Sequence, residues 1–378
     1  MKWFAIKIVF LLSLALFVSY SIGEGASHPE TSDSIKKISV PFVKGNSMRI
    51  VIVGDTGTGE RAYAPGFRAV QKAMRQTNSD FLLHLGDFVY QAGFFPQSCP
   101  DRYIKEIKET LSDPYPLKLF VAGDNDLPPK KSKPKASGCW DKIDPLDSGF
   151  DTPGPRAFEG TRVVGHTLIG IINNYPWKDP TPWLQPRIKE ARDKGLWVIL
   201  AVHEPAITTT WYLDKRNTVF QQLNALKADI VLSGNQHSYE RFHPTGLVEQ
   251  GAFKVTKSES GKYHSGEGTM HIVSGGGGAY LRPFADLQKI EKHSAPKDIF
   301  DALAKRTLMN HFITLDVSKE KLEGIVWRVC TPDDPHDKSD PRWKAHKKFW
   351  KSIPLECDDR PKGTSIYEKF EIMQTLKP

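Results

Sequence analysis

Five apolar runs of this 378-residue chain end in a carboxylate or an imidazole side chain. The residues at these ends are Asp55, Asp87, Asp124, His203 and His237. Carboxylate oxygens and imidazole nitrogens together form a ligand set that suits iron, manganese or zinc better than calcium or magnesium. If the five ends lie close together in the fold, their residue types predict a metal site.

Tyr90 follows Asp87 by three residues and adds a phenol oxygen to this set. Each of these residues, taken alone, has an ordinary structural explanation. An aspartate after a glycine, such as Asp55, is most often a turn former or a helix N-cap, and a tyrosine is most often a packed aromatic. The metal hypothesis therefore depends on the convergence of all the strand ends and not on any single residue.

The surrounding pattern predicts the elements that would position these residues. Apolar runs predicted as strands span 49–55, 81–87, 117–124, 162–173, 196–205, 228–234, 269–278, 310–317 and 321–329, and helical patterns span 65–76, 103–111, 181–195 and 217–226. The alternation of strand and helix at the start of the chain predicts an α/β fold with adjacent parallel strands. Ligands of open α/β sheets bind beyond the carboxyl ends of the strands, which is where the candidate residues stand.

The first 23 residues have the features of a secretory signal peptide. Lys2 and Lys7 give a positive start, residues 8–18 are apolar, and Gly23 is a small residue at a plausible cleavage site. The apolar run is shorter than the roughly 20 residues that a membrane-spanning helix needs. The sequence therefore predicts an exported chain (periplasmic, secreted or in a secretory compartment) whose mature part has no transmembrane segment. Residues 24–46 are polar and are interpreted as a linker.

The composition is that of an ordinary globular protein, with 39% hydrophobic and 25% charged residues. The formal net charge of +8 suits an anionic substrate or surface without specifying one. The densest basic run, 342–351, is interpreted as a solvated helix face, with a patch for a membrane or cell wall as the alternative. No specific binding of nucleic acid is expected.

Four cysteines in an exported chain predict two disulfide bonds. Three connectivities are possible, and proximity along the chain favours Cys99–Cys139 and Cys330–Cys357. The sequence contains no CxxC motif, which excludes the ligand spacing of a zinc finger.

Five short blocks around the candidate residues resemble the signature of the calcineurin-like metallophosphoesterases, and within them the purple acid phosphatases. The blocks read GDTG at 54–57, GDFVY at 86–90, GDND at 123–126, LAVH at 200–203 and GNQH at 234–237. The family pattern is GDxG, GDxxY, GNH followed by Asp or Glu, VxxH and GHxH. The segments HEP and HSYER, which follow the fourth and fifth blocks, are also similar to those of plant members.

This resemblance implies a four-layer α/β/β/α sandwich at 47–330. Residues 331–378 are rich in proline and charged residues, and this composition predicts a C-terminal extension that wraps the domain surface. It also implies a site for two metal ions. The first ion would be held by Asp55, Asp87, Tyr90 and His237, and the tyrosine would bind Fe(III) as the phenolate that colours purple members. Asp87 would bridge to a second ion of Fe, Mn or Zn (or Mg), which would also bind His203 and the residues at positions 124 and 235.

Three residues depart from the family pattern around the second ion. Asp124 replaces an asparagine and adds a negative charge, while Asn235 replaces a histidine and offers a weaker carbonyl oxygen. Both changes favour Mn(II), Mg(II) or Ca(II) over Zn(II). Asn125 replaces the histidine that assists substrate binding and protonates the leaving group. Its amide can donate a hydrogen bond to a phosphate oxygen but no proton, and loss of a general acid costs about 10²–10⁴-fold in rate.

The resemblance and these departures predict an exported metal-dependent phosphoesterase, similar to the acid phosphatases. It would hydrolyse phosphomonoesters with a metal-activated hydroxide at the two-metal site, and phosphodiesters or nucleotides are close variants of this substrate. Glu204, next to His203, is a candidate replacement for the missing proton donor. The alternative is a catalytically weakened or inactive protein of the same fold that acts as a binding or scaffold protein.

Overall fold

A computed structural model describes residues 47–59, 62–90, 99–127, 138–146, 149–209, 217–247, 253–282, 298–331, 356–357 and 360–375. The predicted signal peptide at 1–23, the linker at 24–46 and the basic run at 342–351 lie outside these described residues. Among the helices that are described, none has the length and apolar character needed to cross a membrane.

The order of elements at the start of the chain is the predicted alternation of strands and helices. In the described residues, the strands are β1 (Met48–Val53), β2 (Phe81–His84), β3 (Leu117–Phe120), β4 (Thr152–Pro153), β5 (Gly160–Val164), β6 (Thr167–Ile172), β7 (Trp197–Val202), β8 (Ile230–Ser233), β9 (Tyr239–Phe242), β10 (Thr245–Leu247), β11 (Phe253–Val255), β12 (Lys262–His264), β13 (Met270–Ser274), β14 (Leu303–Thr307), β15 (Asn310–Val317), β16 (Lys321–Cys330) and β17 (Gly363–Met373). The helices are α1 (Ala64–Met74), α2 (Asp101–Ile107), α3 (Trp140–Ile143), α4 (Thr181–Asp193), α5 (Asn217–Ala225) and α6 (Asp298–Ala302).

Two large mixed sheets contain most of these strands. The first sheet has the order β12-β17-β16-β15-β1-β2-β3, and the second has the order β14-β9-β13-β8-β7-β6-β5-β4. β1, β2 and β3 run parallel to one another in the first sheet, as do β6, β7, β8 and β13 in the second. These parallel strands carry the nearly continuous apolar sequences that strands covered on both faces require.

Apolar side chains of the central strands alternate between two environments. In β1, Ile50 and Ile52 pack in a cluster that contains residues of both sheets, whereas Val51 and Val53 pack with residues of α1 and α2. β7 alternates in the same way between the layer shared by the sheets and the side of α4 and α5. The alternation follows from the two-residue period of a strand. The layers are therefore helix, sheet, sheet and helix, which confirms the predicted four-layer α/β/β/α sandwich.

The region 162–173, predicted as one strand, is part of a hairpin. β5 and β6 pair antiparallel with Val164 opposite Thr167, so Gly165 and His166 form the turn. Gly165 has a φ of +57°, in the left-handed region that glycine adopts without a steric clash of a Cβ atom. The turn escaped prediction because only Gly165 and His166 separate the apolar residues of the two strands, and Gly170 shows that glycine also occurs within a strand here.

The C-terminal segment contributes a strand to the first sheet. The sequence predicts that 331–378 wraps the domain surface, but β17 lies between β12 and β16 and pairs with both. Charged residues such as Glu368, Lys369 and Glu371 give this strand the composition of a surface segment. The structure thus places part of the predicted extension inside the sheet.

A buried ion pair joins β17 to the HSYER segment on β9. The guanidinium of Arg241 donates two hydrogen bonds to the Glu368 carboxylate, at 3.0 and 2.9 Å, and the two side chains are only 4% and 8% exposed. The Tyr239 hydroxyl donates to the same carboxylate at 2.5 Å. Such a bidentate pair is directional as well as charged. It therefore links the second sheet to the C-terminal strand of the first.

Both predicted disulfide bonds are present. Cys99 is bonded to Cys139 and Cys330 to Cys357, which confirms the connectivity chosen by proximity along the chain. The first bond connects the start of α2 to the start of α3, and the second ties the end of β16 to the segment that precedes β17. The first bond therefore joins two helix starts, and the second anchors the segment before β17 to the first sheet.

A buried histidine on β13 predicts a pH dependence of stability. Burial lowers the pKa of His271 from 6.5 to about 3, so the folded chain keeps it neutral while the unfolded chain protonates it. Above pH 6.5 the residue is neutral in both states and does not reduce the free energy of unfolding. As the pH falls from 6.5 toward 3, protonation of the unfolded chain lowers the free energy of unfolding by about 1.4 kcal/mol per pH unit.

We expect His271→Phe to reduce the slope of the unfolding free energy against pH by about this amount between roughly pH 4 and 6. Denaturant unfolding at a series of pH values measures the slope. His271→Gln is the matched control. Its side chain differs from phenylalanine in size and polarity but also cannot titrate, so it should reduce the slope equally. An unchanged slope in both variants would contradict the prediction.

Candidate metal centre

The carboxyl ends of central strands from both sheets meet at one place. Asp55, Asp87 and Asp124 follow β1, β2 and β3 in the first sheet, whereas His203 and His237 follow β7 and β8 in the second. Potential ligand atoms of Asp55, Asp87 and His237 all lie within 4.8 Å of one another, as do those of Asp87, Asp124 and His203. The fold thus brings together all five predicted strand-end residues, with Asp87 common to both groups.

The first group also includes Tyr90. Its hydroxyl lies 3.3 Å from Asp55 Oδ1 and 3.1 Å from His237 Nε2. His237 Nδ1 lies 2.5 Å from the carbonyl oxygen of Tyr280, so Nδ1 carries a proton and donates it. In a neutral imidazole, Nε2 therefore directs its lone pair toward the oxygens of Asp55 and Tyr90.

The second group is centred on His203, which is completely buried. Its Nδ1 lies 2.6 Å from the carbonyl oxygen of Leu85 and donates there. Its Nε2 lies 3.4 Å from Asp87 Oδ1 and 3.4 Å from Asp124 Oδ1. Within the described part of the chain, this Nε2 has no hydrogen-bond partner. A buried polar atom without a partner is costly, and a ligand role explains why this one is retained.

The donor set fits the two metal ions that the family resemblance implies. Carboxylate oxygens, a phenol oxygen and imidazole nitrogens converge in two groups that share Asp87. A backbone carbonyl orients each imidazole so that Nε2 faces the carboxylates, as is usual for metal-binding histidines. Hard oxygen donors combined with imidazole suit Fe, Mn or Zn.

The pKa values reflect the close packing of acidic groups. Burial raises the pKa of Asp55, and the Asp87 charge adds to the rise while His203 opposes it. Burial and the charges of Asp55 and Asp87 raise the pKa of Tyr90. Burial alone would raise the pKa of Asp87, but the nearby His203 imidazole and two hydrogen bonds from Asn125 lower it overall. A bound cation would favour the ionised form of each carboxyl group and of the phenol.

Three residues of the site hold the left-handed backbone conformation. The φ angles are +56° at Asp55, +60° at Asp87 and +63° at Asn235. Aspartate and asparagine adopt this region more readily than other non-glycine residues. The conformation lets neighbouring loops bond to each other: the N–H of Asn235 donates to Asp55 Oδ2 at 2.7 Å, and the N–H of Asp55 donates to the Gly86 carbonyl at 2.9 Å.

The glycines before Asp87 and Asp124 are required by the close approach of the loops. A Cβ atom on Gly123 would lie 2.2 Å from Asp87 Oδ1, and one on Gly86 would lie 2.5 Å from His203 Nδ1. Both distances are too short for real Cβ contacts. The repeated Gly-Asp pattern therefore reflects the packing of one strand end against another.

Asp126 is a residue of this site that the sequence reasoning did not select. Its buried carboxylate accepts hydrogen bonds from the backbone N–H groups of Asp87 and Phe88, both at 2.8 Å, and of Gly123 at 3.0 Å. Burial and the Asp87 charge raise its pKa, and the N–H donors oppose that rise. A signal was present, because the third family block ends in Asp or Glu. Asp126 joins the loops that follow β2 and β3.

The three remaining predicted residues have different positions. Asn125 donates its backbone N–H to Asp87 Oδ1 at 3.0 Å and its side-chain Nδ2 to Asp87 Oδ2 at 2.8 Å. Asn235 is buried beside Asp55, to which its backbone N–H donates. Glu204 follows His203 directly, but the two ligand groups found in the described residues do not include its carboxylate.

Comparison with known proteins agrees with this geometry. Residues 48–239, about half of the chain, match the family model described as calcineurin-like phosphoesterase. The chain is 26% identical over 327 residues to "Probable inactive purple acid phosphatase 1" of Arabidopsis thaliana, covering 76% of this chain and 50% of that protein. It is 24% identical over 320 residues to a nucleotide pyrophosphatase/phosphodiesterase of Hordeum vulgare, covering 75% of this chain and 82% of that protein. The chain thus spans about half the length of the Arabidopsis relative.

A solved structure supports the same assignment at the level of the fold. A purple acid phosphatase isolated from yellow lupin (Lupinus luteus) seeds superposes with a TM-score of 0.57 at 17% sequence identity. The superposition covers 87% of this chain and 54% of that one. At this identity the likeness concerns the fold alone. The match of residues 48–239 to the family model shows that the chain belongs to the calcineurin-like phosphoesterase family.

Proposed function

We propose that this chain is a metal-dependent phosphoesterase that hydrolyses phosphomonoesters, as acid phosphatases do. Membership of the family supports a hydrolase in general. The observation that carries the proposal is the pair of ligand groups joined by Asp87, with the buried and unpartnered Nε2 of His203 among the described residues. Two adjacent cations form a site suited to a phosphoryl group.

Each group of residues has a proposed role in this reaction. The first ion would be held by Asp55, Asp87, Tyr90 and His237, and the second by Asp87, Asp124 and His203, with Asn235 as a further oxygen donor. Bound in this way, the two ions supply Lewis acidity and a water of lowered pKa as nucleophile. The carbonyl oxygens of Leu85 and Tyr280 accept hydrogen bonds from the imidazoles of His203 and His237 and fix their orientation. Asn125 fixes the Asp87 carboxylate with two hydrogen bonds.

The nature of the ions is part of the proposal. A phenol oxygen in the first group favours Fe(III), while the oxygen-rich second group accepts Fe, Mn or Zn, or Mg(II). Coordination of Fe(III) by the Tyr90 phenolate would give a visible absorption band. A colourless protein loaded with iron would contradict this role of Tyr90.

The test combines metal analysis of the purified protein with an assay of phosphate release. We expect two metal ions per chain and hydrolysis of aryl phosphates, supplied with Fe, Mn or Zn, within a range of about pH 4–9. Alkyl phosphates should react at least about 10²-fold more slowly, because Asn125 cannot protonate a poor leaving group. One ion per chain and no hydrolysis of any aryl phosphate would overturn the proposal.

A second function is favoured by Asn125, which occupies the place of a proton donor and donates its amide to Asp87 instead. In this case the chain is a binding or scaffold protein that retains one structural ion. The name of the Arabidopsis relative, "Probable inactive purple acid phosphatase 1", is consistent with such a loss in a related protein. One ion per chain and no hydrolysis in the same experiment would favour this function over the phosphoesterase.

We also propose that the chain is exported through its N-terminal signal peptide. The two disulfide bonds support this, since disulfides persist mainly in oxidising compartments. N-terminal sequencing of the protein recovered from secreting cells should find cleavage near Gly23. An intact Met1 on the mature protein would contradict export by this route.

A further inference from the structure

Arg282 is attached to the loop that carries two of the candidate ligands. Its backbone N–H donates to the carbonyl oxygen of His237 at 3.2 Å, and its Nη1 donates to the carbonyl oxygen of Asn235 at 3.3 Å. It follows β13 after the glycine run 275–278, where no motif of the sequence marks it. Both its backbone and its half-buried side chain are therefore held at the edge of the metal centre.

The guanidinium of Arg282 lies within the electrostatic field of the site. Burial alone would lower its pKa, but the acidic groups of Tyr90, Asp55, Asp87 and Asp124 raise it. An arginine is a permanent cation at any working pH. A centre that also binds two metal cations does not need another positive charge to neutralise buried ligands. The charge is better explained by an anion that binds between the ions and the guanidinium.

Asp124 explains why this site needs such a residue. Its side chain is 52% exposed, whereas the side chains of Asp55 and Asp87 are 0% and 1% exposed. An entering phosphate ester therefore meets the Asp124 charge before the other two and is repelled by it. The single positive charge of Arg282 offsets the single negative charge of Asp124 on the same centre.

We propose that Arg282 binds the phosphoryl oxygens of the substrate at this centre. The inference rests on the proposed function, because it concerns the phosphate group that the reaction would transfer. A guanidinium has five N–H groups, and the bond to Asn235 uses one of them. The remaining N–H groups can donate in a forked geometry to phosphate, for which arginine is well suited. Arg282 is thus a substrate-binding residue outside the five motif blocks.

The test is isothermal titration calorimetry of inorganic phosphate into the metal-loaded full chain. We expect Arg282→Ala to weaken phosphate binding by about 10–100-fold, since it removes charge-assisted hydrogen bonds. Arg282→Lys keeps the positive charge but loses the paired N–H donors of the guanidinium, so it should show an intermediate affinity. Metal analysis of each variant should still find the wild-type number of ions.

Lys319→Ala is the matched control for charge. Lys319 is exposed in the turn between β15 and β16, two residues after Val317. Val317 pairs with Met48, the first residue of β1, and so lies at the end of the sheet away from the site. Its removal should leave phosphate affinity unchanged. If Arg282→Ala does not fold, the affinity of Arg282→Lys relative to wild type decides the question.

Three results would overturn the inference. They are wild-type phosphate affinity in the Arg282 variants, a loss of metal ions that parallels the loss of phosphate binding, and no phosphate binding by the wild-type protein. The second result would make Arg282 a positioning residue for the Asn235 loop. Calorimetry measures binding without turnover, so it separates the two proposals. A chain that binds phosphate through Arg282 but hydrolyses no aryl phosphate would contradict the proposed function and support this inference.

Discussion

Asp87→Asn is expected to lower the rate of phosphate release by about 10³-fold or more, because loss of a metal Lewis acid removes several kcal/mol of transition-state stabilisation. Asp87 is the one residue common to both ligand groups, and its carboxylate also accepts two hydrogen bonds from Asn125. An amide of the same shape keeps the packing but loses the charge and one acceptor oxygen. We expect the variant to retain at most one metal ion per chain.

The measurement is phosphate release from an aryl phosphate, with metal analysis of the same preparation. Asp193→Asn is the matched control, since Asp193 is 63% exposed at the end of α4, where it pairs with Lys189. The control should keep wild-type activity and metal content. An Asp87→Asn protein with two ions and unchanged turnover would show that Asp87 does not bridge the groups.

Glu368→Ala is expected to lower the free energy of unfolding by about 3–5 kcal/mol, because it leaves the Arg241 guanidinium buried without a counter-charge. Arg241 is 4% exposed, so water cannot replace the two lost hydrogen bonds. The Tyr239 hydroxyl loses the same acceptor. The substitution therefore weakens the attachment of β17 to the second sheet.

Denaturant unfolding of the metal-free protein measures this effect without a contribution from metal binding. Asp193→Ala serves for comparison, because it breaks an exposed pair and should change stability by no more than about 0.5 kcal/mol. The double variant Arg241→Met with Glu368→Leu should lose less stability than Glu368→Ala alone, since no buried charge is then left unpaired. A cost of less than about 1 kcal/mol for Glu368→Ala would contradict the prediction.

Much of the candidate centre could be found from the sequence because its residues follow apolar strands. Asp55, Asp87 and Asp124 end three parallel strands of one sheet, and parallel strands present their carboxyl ends at one edge. His203 and His237 end strands of the second sheet, so their approach to the aspartates depends on how the two sheets face each other. The resemblance to a known family supplied that arrangement, and the fold confirms that these residues meet.

Other features were beyond the reach of local patterns. Glu368 belongs to a charged segment, and nothing nearby in the sequence distinguishes it from exposed neighbours such as Lys369. Its burial depends on Arg241, which lies 127 residues away in the chain. The contact of Arg282 with Asn235 likewise spans 47 residues and connects two loops. Asn125 could be recognised as a departure from the family pattern, but its bond to Asp87 could not.

The sequence by itself determined which donor atoms the site contains and which strands carry them, since strand periodicity and the residue after each strand are local properties. It also indicated the disulfide pairing, because the bonded cysteines are the pairs with the shortest separations in the chain, 40 and 27 residues. The tertiary structure decided which polar groups meet: Asn125 with Asp87, Arg241 with Glu368, and Arg282 with the Asn235 loop. These contacts follow from the packing of two sheets and their loops, which depends on residues far apart in the sequence.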